Sequence, residues 1–145
     1  MAMDNKNEYL IKAGYHEMDF GRIANMLSDA FWCIGINEEE IVQGAQNSAL
    51  LVGAFTNDDH QIGFSRVISD KTRFAYILDV IVDDKYRRQG IGQSMVRFIL
   101  NHPELKDVYQ WLLITKDAHG VYQKVGFNSI ARPGDWMEIR NNRPS

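Results

Sequence analysis

Three consecutive apolar runs constrain the fold of this chain more than any other feature. They read ALLVGAFT at 49–56, QIGFSRVIS at 61–69 and RFAYILDVIV at 73–82. The connections between them, NDDH and DKT, consist of residues that favour tight turns. Strand-length runs joined by such turns predict neighbouring antiparallel strands. The centre of the fold is therefore predicted to be an antiparallel meander.

The segments on either side of the meander complete an α/β pattern. Upstream, residues 9–13 predict a short strand and 19–31 a helix, because apolar side chains recur there at helical spacing. A second helix is predicted to begin at Asn37, whose side chain can cap the first turn. Downstream, a helix is predicted from about Gly90 until Pro103, which cannot continue it. The remaining chain predicts a buried strand at 109–115, a short helix at 118–125, and strands near 127–131 and 135–140.

Length, charge and cysteine content narrow the classes of protein. The 145 residues, 45% hydrophobic and 24% charged, predict a single globular domain over 1–145. No apolar run is long enough to span a membrane and no signal peptide is recognisable, so a cytoplasmic protein is expected. The single Cys33 can form no internal disulfide and completes no metal site, which agrees with a reducing compartment. The net charge of −3 disfavours nucleic acid as a partner, RNA acceptors included.

A glycine-bearing loop, YRRQGIGQ at 86–93, joins the last strand of the meander to the next helix. At such a junction the first helical N–H groups point outward, and glycines let an anion approach them. The loop fits neither usual phosphate motif, because IGQSMVR after Gly90 lacks the P-loop lysine and Met95 occupies the third glycine of a dinucleotide fingerprint. A plain alternative is a tight turn beside two solvated arginines.

Two motifs in the chain, one in this loop and one about 30 residues later, match the pattern of a single family. The R-x-x-G-x-G pattern at 87–92, preceded by ILDVIV and DDK, resembles the acyl-CoA pyrophosphate loop of the GNAT superfamily of acyl-CoA-dependent N-acyltransferases. The segment TKDAHGVYQKVGF at 115–127 is similar to its later motif, in which a short helix carries a tyrosine, here Tyr122, four residues before a Gly-Phe pair. The order of the motifs and the upstream pattern also match. The resemblance extends from about residue 8 to 140.

The resemblance implies a fold and a cofactor. The fold would be α/β (α+β), a mixed and largely antiparallel sheet of six to seven strands with helices on both faces. The strands at about 74–82 and 109–115 would run side by side and then splay, with acetyl-CoA, the acyl donor, in the gap. No metal is implied. The residues implied to bind the cofactor, besides Tyr122, are Val80, Ile81 and Val82 for pantetheine, and Arg87, Arg88, Gln89, Gly90, Ile91, Gly92 and Gln93 for the pyrophosphate.

The implied reaction is direct attack of a primary amine, on a small molecule, peptide or protein, upon the thioester. The resemblance assigns Tyr122 as the general acid. Asp79 is the candidate base. Aspartate is disfavoured in an apolar strand and costly to bury unless it is paired, so its presence there suggests a functional role. Strict alternation would put Asp79 on the face of Ile77 and Ile81, and a β-bulge would reverse this. His119 is the alternative base.

The residues that would bind the acceptor amine are implied only in outline. Family topology implies that Phe31, Trp32 and Trp136 form an aromatic wall and that 38–40 give an acidic rim for a cationic amine. Alternatively, the tryptophans pack in the core and the glutamates begin a helix. The later motif departs from the family pattern, since Thr115 or Asp117 stands where relatives have an asparagine. A catalytically silent acyl-CoA-binding module remains open as a second function, and a homodimer as an alternative to a monomer.

Overall fold

The computed structural model describes residues 8–143, and the chain divides into two compact units between Ile114 and Thr115. The first unit contains a five-stranded sheet and three α-helices. The second contains one short helix and connecting segments. The single domain expected over 1–145, which includes residues outside the described range, stays a prediction.

The sheet is mixed and mainly antiparallel, as predicted. Its spatial order follows the chain, and each neighbouring pair is antiparallel except the last, which is parallel. The predicted meander is confirmed as its three central strands. The strands are β1 (Leu10–Ala13), β2 (Leu50–Phe55), β3 (Gln61–Ser69), β4 (Phe74–Val82) and β5 (Gln110–Leu112).

The strand count is lower than the six to seven predicted, and the difference lies at the C-terminal end. Within residues 115–143, no strand forms at 127–131 or 135–140. Alternating apolar residues make a strand only when a neighbouring strand takes up the backbone hydrogen bonds, and here Pro133–Asp135 forms a 3₁₀ turn instead. The buried strand predicted at 109–115 is also shorter, since it covers only Gln110–Leu112. The predicted segment is less buried than expected, with Tyr109 72% and Ile114 80% exposed.

The helices begin close to where capping residues predict. Helix α1 (Phe20–Leu27) is capped by Asp19, and α2 (Glu38–Gln46) by Asn37, whose side chain accepts the Glu40 amide at 2.8 Å. Helix α1 ends four residues before the predicted residue 31, because the Ser28 hydroxyl bonds to the Asn25 carbonyl and competes with continued helix. The other helices are α3 (Ile91–Leu100) and α4 (His119–Gln123).

Helices cover both faces of the sheet in the first unit, as predicted. On one face, α1 and α2 enclose an apolar cluster that includes Leu51 and Phe55 of β2 and Phe64 of β3. On the other face lies α3, where Met95 packs directly over Gly63. Alternate residues of β2 thus serve opposite cores, as the two-residue period of a strand requires. This arrangement fixes β4 between two packed layers.

Strands β4 and β5 run together and then part. Pairing joins Phe74–Tyr76 to Gln110–Leu112, and no further β5 residue pairs. Beyond Tyr76, β4 continues to Val82 with β3 as its only partner strand in the first unit. One edge of β4 over 77–82 is therefore left without a strand partner in that unit, at the position of the predicted splay.

Candidate active site

A β-bulge in β4 determines the direction of Asp79. Phe64 pairs with Ile81 and Arg66 with Leu78, so Ser65 lies opposite both Asp79 and Val80. Asp79 has a φ of 57°, a left-handed conformation that aspartate tolerates better than most residues. The bulge turns its carboxylate away from the face of Ile77 and towards α2. The strict alternation of side chains along β4 is therefore broken at Asp79 by a β-bulge, which is the alternative that the sequence left open.

The Asp79 carboxylate lies in a polar cluster that compensates for its burial. Its side chain is only 9% exposed, and Arg66 Nε donates to Oδ2 at 2.8 Å. Trp32 Nε1 donates to Oδ1 at 2.9 Å. A buried charge is tolerated when it is paired and hydrogen-bonded, and both oxygens of this carboxylate meet that condition. The cluster ties the loop after α1 to the bulge of β4.

A cavity of about 340 Å³ opens beside this cluster. Arg66 and Asp79 lie at its floor, together with Phe64 of β3. The loop before α2 and the inner side of α2 form its wall, through Ile36, Glu40, Ile41, Gln43, Gly44 and Asn47. Its volume is at the lower end of small-molecule pockets, which span roughly 300–1,000 Å³. The cavity therefore offers a carboxylate and a guanidinium to a small ligand.

The aromatic residues predicted to line the acceptor side are not core residues. Phe31 and Trp32 lie in a 3₁₀ turn after α1, 56% and 38% exposed, with their rings 5.2 Å apart in an edge-on arrangement. Trp136 lies in the second unit and is 47% exposed. The alternative that both tryptophans pack in the core is therefore wrong. Glu38, Glu39 and Glu40 form the first turn of α2, as the second part of the same alternative predicted.

A clamp holds the start of the loop that follows β4. Arg22 of α1 bonds to Asp83 Oδ2 at 2.6 Å and to the backbone carbonyl of Gln61 at 3.1 Å. The Asp83 side chain also accepts the Lys85 amide at 2.9 Å. Desolvation opposes ionisation of Asp83, but the Lys85 amide and the Arg22 guanidinium outweigh it and lower the pKa of this carboxyl. The clamp fixes the loop to the first helix.

Asp83→Asn is expected to destabilise the protein by about 1–2 kcal/mol at pH 7, since it removes a charge-assisted hydrogen bond. Because the folded-state pKa of Asp83 is lowered, its contribution is present above the unfolded pKa of about 3.9 and is lost as pH falls below it. Urea unfolding at pH 7 and near pH 3 tests this. Asp58→Asn, at an exposed aspartate in the β2–β3 connection, is the control. An equal deficit of Asp83→Asn at both pH values would contradict the clamp.

The start of α3 presents backbone amides at the end of the unpaired β4 edge. Gly90, with a φ of 81°, precedes the helix, and the first helical bond is donated by the Ser94 amide to its carbonyl at 3.0 Å. The amides of Ile91 and Gly92 therefore have no acceptor within the helix. A Cβ on Gly92 would lie 3.9 Å from Val80 Cγ1 and 4.0 Å from Val82 Cγ2, so this glycine directly faces β4. The geometry fits a pyrophosphate placed at the helix start.

The side chains of the loop are arranged around this helix start. Arg87 donates from Nε to the Val82 carbonyl at 3.0 Å, and its guanidinium pairs with Asp84 at 2.8 Å. Arg88 is exposed and adopts a left-handed φ of 65°. The Gln89 side-chain oxygen is buried and has no hydrogen-bond partner in the described part of the chain. Arg87 thus braces the loop, whereas Arg88 makes no such hydrogen bond or ion pair within residues 8–143.

Tyr122 lies on α4 in the second unit, with its ring half-buried. Burial raises the pKa of its hydroxyl above the ordinary value of 10.0, so the group stays protonated well above neutral pH. The ring meets Phe127 edge-on at 6.2 Å, and the turn between them is closed by the Phe127 amide bonding to the Tyr122 carbonyl. Gly126 permits that turn with a φ of 108°. The tyrosine and the Gly-Phe pair thus form one local structure.

The sequence offers Thr115 or Asp117 at the start of α4, and in the structure Thr115 bonds to the start of this helix. The Thr115 hydroxyl accepts the Ala118 amide at 3.0 Å. Ala118, and not Asp117, occupies the N-cap position. His119, the alternative base, is the first residue of the helix and is exposed.

Sequence reasoning missed Arg66, the ion-pair partner of Asp79. A signal was available, because Arg66 interrupts the apolar run of β3 just as Asp79 interrupts that of β4. Two opposite charges within neighbouring strands of a meander are candidates for a cross-strand pair. Sequence reasoning also assigned Trp32 only to an aromatic wall and missed its hydrogen bond to Asp79.

Comparisons with known proteins agree with the fold. Residues 47–129 match the acetyltransferase (GNAT) domain family. A GNAT-family acetyltransferase from Xanthomonas campestris pv. campestris is 31% identical, with a TM-score of 0.83, covering 92% of this chain and 94% of that one. One from Streptococcus pneumoniae TIGR4 is 27% identical, with a TM-score of 0.71 and coverage of 94% and 99%. No curated protein is a significant match to the sequence.

A more distant structure shares the fold alone. It is an acetyltransferase from Clostridium acetobutylicum with acetyl-CoA, 16% identical, with a TM-score of 0.68 and coverage of 91% and 96%. The matches define the class of the protein as an acyltransferase that uses an acyl-CoA donor. The chain belongs to the GNAT acetyltransferase family.

Two further properties concern the described residues only. Within residues 8–143, no group of three or more His, Cys, Asp or Glu side chains is arranged to hold a metal ion. No helix in the same range is long and apolar enough to cross a membrane.

Proposed function

We propose that the protein transfers the acetyl group of acetyl-CoA to a primary amine by direct attack within a ternary complex. The observation that carries this proposal is the unpaired edge of β4, which leads straight to the amides at the start of α3. An extended amide-containing arm can pair with such an edge as an added strand would, and a pyrophosphate suits the helix start. The β4 edge and the start of α3 follow one another in the same order as the pantetheine arm and the pyrophosphate of acyl-CoA.

The chain's own residues would hold the cofactor mainly through backbone groups. Val80, Ile81 and Val82 are proposed to contact the pantetheine arm at the edge of β4 that lacks a strand partner in the first unit, where the Val82 carbonyl already accepts Arg87 Nε. The loop residues offer amides and charge to the pyrophosphate, and they are Arg87, Arg88, Gln89, Gly90, Ile91, Gly92 and Gln93. When bound, acetyl-CoA supplies an activated acyl group.

The acceptor amine must lose a proton before or as it attacks. An alkyl amine with a pKa near ~10.4 is neutral only about once in ~10³ molecules at pH 7, so a base is needed. Asp79 is proposed for this role, because the bulge directs its carboxylate into the cavity. Each of its oxygens accepts one hydrogen bond and keeps a further lone pair. Asp79 thus takes the proton that the amine loses as the new C–N bond forms.

The leaving sulfur must gain a proton. Tyr122 is proposed to donate it as the thioester C–S bond breaks, a role that its position in the family motif supports. Its hydroxyl carries its proton at neutral pH, and burial raises the pKa of the hydroxyl further. Holding both reactants in line supplies the rest of the rate enhancement. Phe31, Trp32 and Trp136 are proposed as aromatic contacts for the acceptor, since all three are exposed.

Release of CoA from acetyl-CoA in the presence of a broad amine panel tests the proposed function. At least one amine is expected to support turnover, with double-reciprocal plots that intersect because both substrates bind before reaction. Parallel lines would indicate a covalent acetyl-enzyme and would contradict direct attack. Acetyl-CoA binding without turnover on any amine would instead favour the silent binding module.

Asp79→Asn is expected to lower kcat/KM about 10²-fold at pH 7, the lower range for loss of a general base. The deficit should shrink as pH approaches the pKa of the amine, because a neutral amine needs no base. The pH dependence of kcat/KM measures this, with thermal unfolding recorded beside it, since Asn places an NH₂ group among the donors of Arg66 and Trp32. A deficit that is constant across pH would make Asp79 structural and return His119 to consideration.

A further inference from the structure

The guanidinium of Arg66 has unused hydrogen-bonding capacity at the floor of the cavity. Its Nε donates to Asp79 at 2.8 Å, and its Nη1 donates to the Ser48 hydroxyl at 3.4 Å. A guanidinium carries five N–H donors. The others, including both on Nη2, have no acceptor within residues 8–143. The side chain is only 20% exposed, so these donors are held in a partly enclosed space.

A close approach to α2 fixes the position of this guanidinium. A Cβ at Gly44 would lie 3.3 Å from Arg66 Cζ and from Nη1. The missing side chain at this helical position therefore lets the planar group lie against the helix backbone. With Asp79 on one side and α2 on the other, the guanidinium has little freedom to reorient. A fixed planar fork of donors suits a planar, two-oxygen acceptor.

The charges around the cavity favour a carboxylate over a phosphate. The lining carries Arg66, Asp79 and Glu40, which sum to one negative charge. A ligand with both an ammonium and a carboxylate adds no net charge to this space, whereas a phosphorylated amine would add negative charge beside two carboxylates. Arg66 and Asp79 are also direct neighbours, as the carboxylate and the amine of an amino acid are. The pair is therefore complementary to an amino-acid headgroup.

The rest of the lining suits an apolar substituent. Ile36, Ile41 and Phe64 contribute aliphatic and aromatic surface, and the cavity of about 340 Å³ has the size of a small-molecule site. We propose that the acceptor is a free amino carboxylic acid with an apolar side chain, and that Arg66 determines this specificity by binding its carboxylate. This inference rests on the proposed function, since it names the acceptor class for the same site.

The inference is tested by binding of an analogue pair that cannot be acetylated. Calorimetry would compare N,N-dimethylphenylalanine with N,N-dimethylphenylalaninamide, whose tertiary amines keep the ammonium but cannot form a stable amide, on the 145-residue protein with CoA bound. The carboxylate is expected to bind at least about ten-fold more tightly, as for a hydrogen-bonded ion pair in a partly enclosed site. In the Arg66→Gln variant, the ratio of the carboxylate's affinity to that of the amide should fall to about one. Arg97→Gln, which removes an exposed arginine from α3, is the matched control and should keep the ratio.

A second variant guards against a folding defect, because Arg66→Gln leaves Asp79 buried without its counter-ion. The double variant Arg66→Gln/Asp79→Asn removes both charges and should show the same loss of preference. Equal binding of the two analogues, binding of neither, or a preference that survives without Arg66 would overturn the inference. These outcomes do not depend on turnover. Absence of CoA release with every amine would overturn the proposed function instead.

Discussion

Gly92→Asp is expected to weaken acetyl-CoA binding by at least about 100-fold. Two like charges about 4 Å apart repel by about 4 kcal/mol at the intermediate dielectric of a partly buried site, which corresponds to roughly 10³-fold in affinity. The aspartate would lie in the first turn of α3, facing β4, where the pyrophosphate is proposed to bind. Titration calorimetry with acetyl-CoA measures the effect.

The same substitution should leave the fold intact. A Cβ at residue 92 makes only ordinary contacts of 3.9–4.0 Å, and a negative charge in the first turn favours the helix. Gly92→Ala is the matched control, because it adds the carbon without the charge, and we expect it to keep stability and to weaken binding far less than the aspartate does. Unchanged acetyl-CoA affinity in a folded Gly92→Asp protein would remove the pyrophosphate from this loop.

Tyr122→Phe is expected to lower kcat about 10²-fold, within the range for loss of a general acid. Within residues 115–143 the tyrosine hydroxyl makes no hydrogen bond, and the edge-on contact with Phe127 involves the ring, so phenylalanine should preserve the packing. The dissociation constant of acetyl-CoA should therefore change little. Steady-state kinetics with the best amine, together with calorimetry, separate the two effects.

A control variant and a contradicting outcome are available for this residue. Tyr15→Phe removes the hydroxyl from another partly buried tyrosine, which packs against Phe20 at 5.0 Å in the α1 region. It should leave kcat unchanged. A fully active Tyr122→Phe protein would remove Tyr122 as the proton donor, while a parallel loss of acetyl-CoA affinity would make it a cofactor-binding residue only.

The fold at the centre of the chain could be predicted because local signals agree there. The strands of the meander are long, and their turns have clear sequences, so β2, β3 and β4 appear where expected. Helices with a capping residue, such as α2 at Asn37, begin where predicted. Helix α1 ends early, because the Ser28 hydroxyl bonds to the Asn25 carbonyl and competes with helical hydrogen bonds, which the spacing of apolar residues does not reveal.

The site could be predicted less completely, because its geometry depends on a single irregularity. Apolar alternation would have sent Asp79 to the wrong face, and only the bulge opposite Ser65 brings it to Arg66 and Trp32. Bulges arise from cross-strand pairing, which one strand's sequence does not specify. The prediction of strands near the C-terminus was wrong for a related reason. Alternation of apolar and polar residues shows that a segment can pair, but it does not supply a partner strand.

Transfer of a labelled acetyl group tests the central claim most directly. The purified protein would be incubated with acetyl-CoA labelled in the acetyl group and with the best amine from the panel. We predict one labelled amide formed for each CoA released, and at least about 100-fold slower formation with Gly92→Asp at an acetyl-CoA concentration well below saturation. Release of CoA without labelled amide, or tight acetyl-CoA binding without transfer to any amine, would contradict the account.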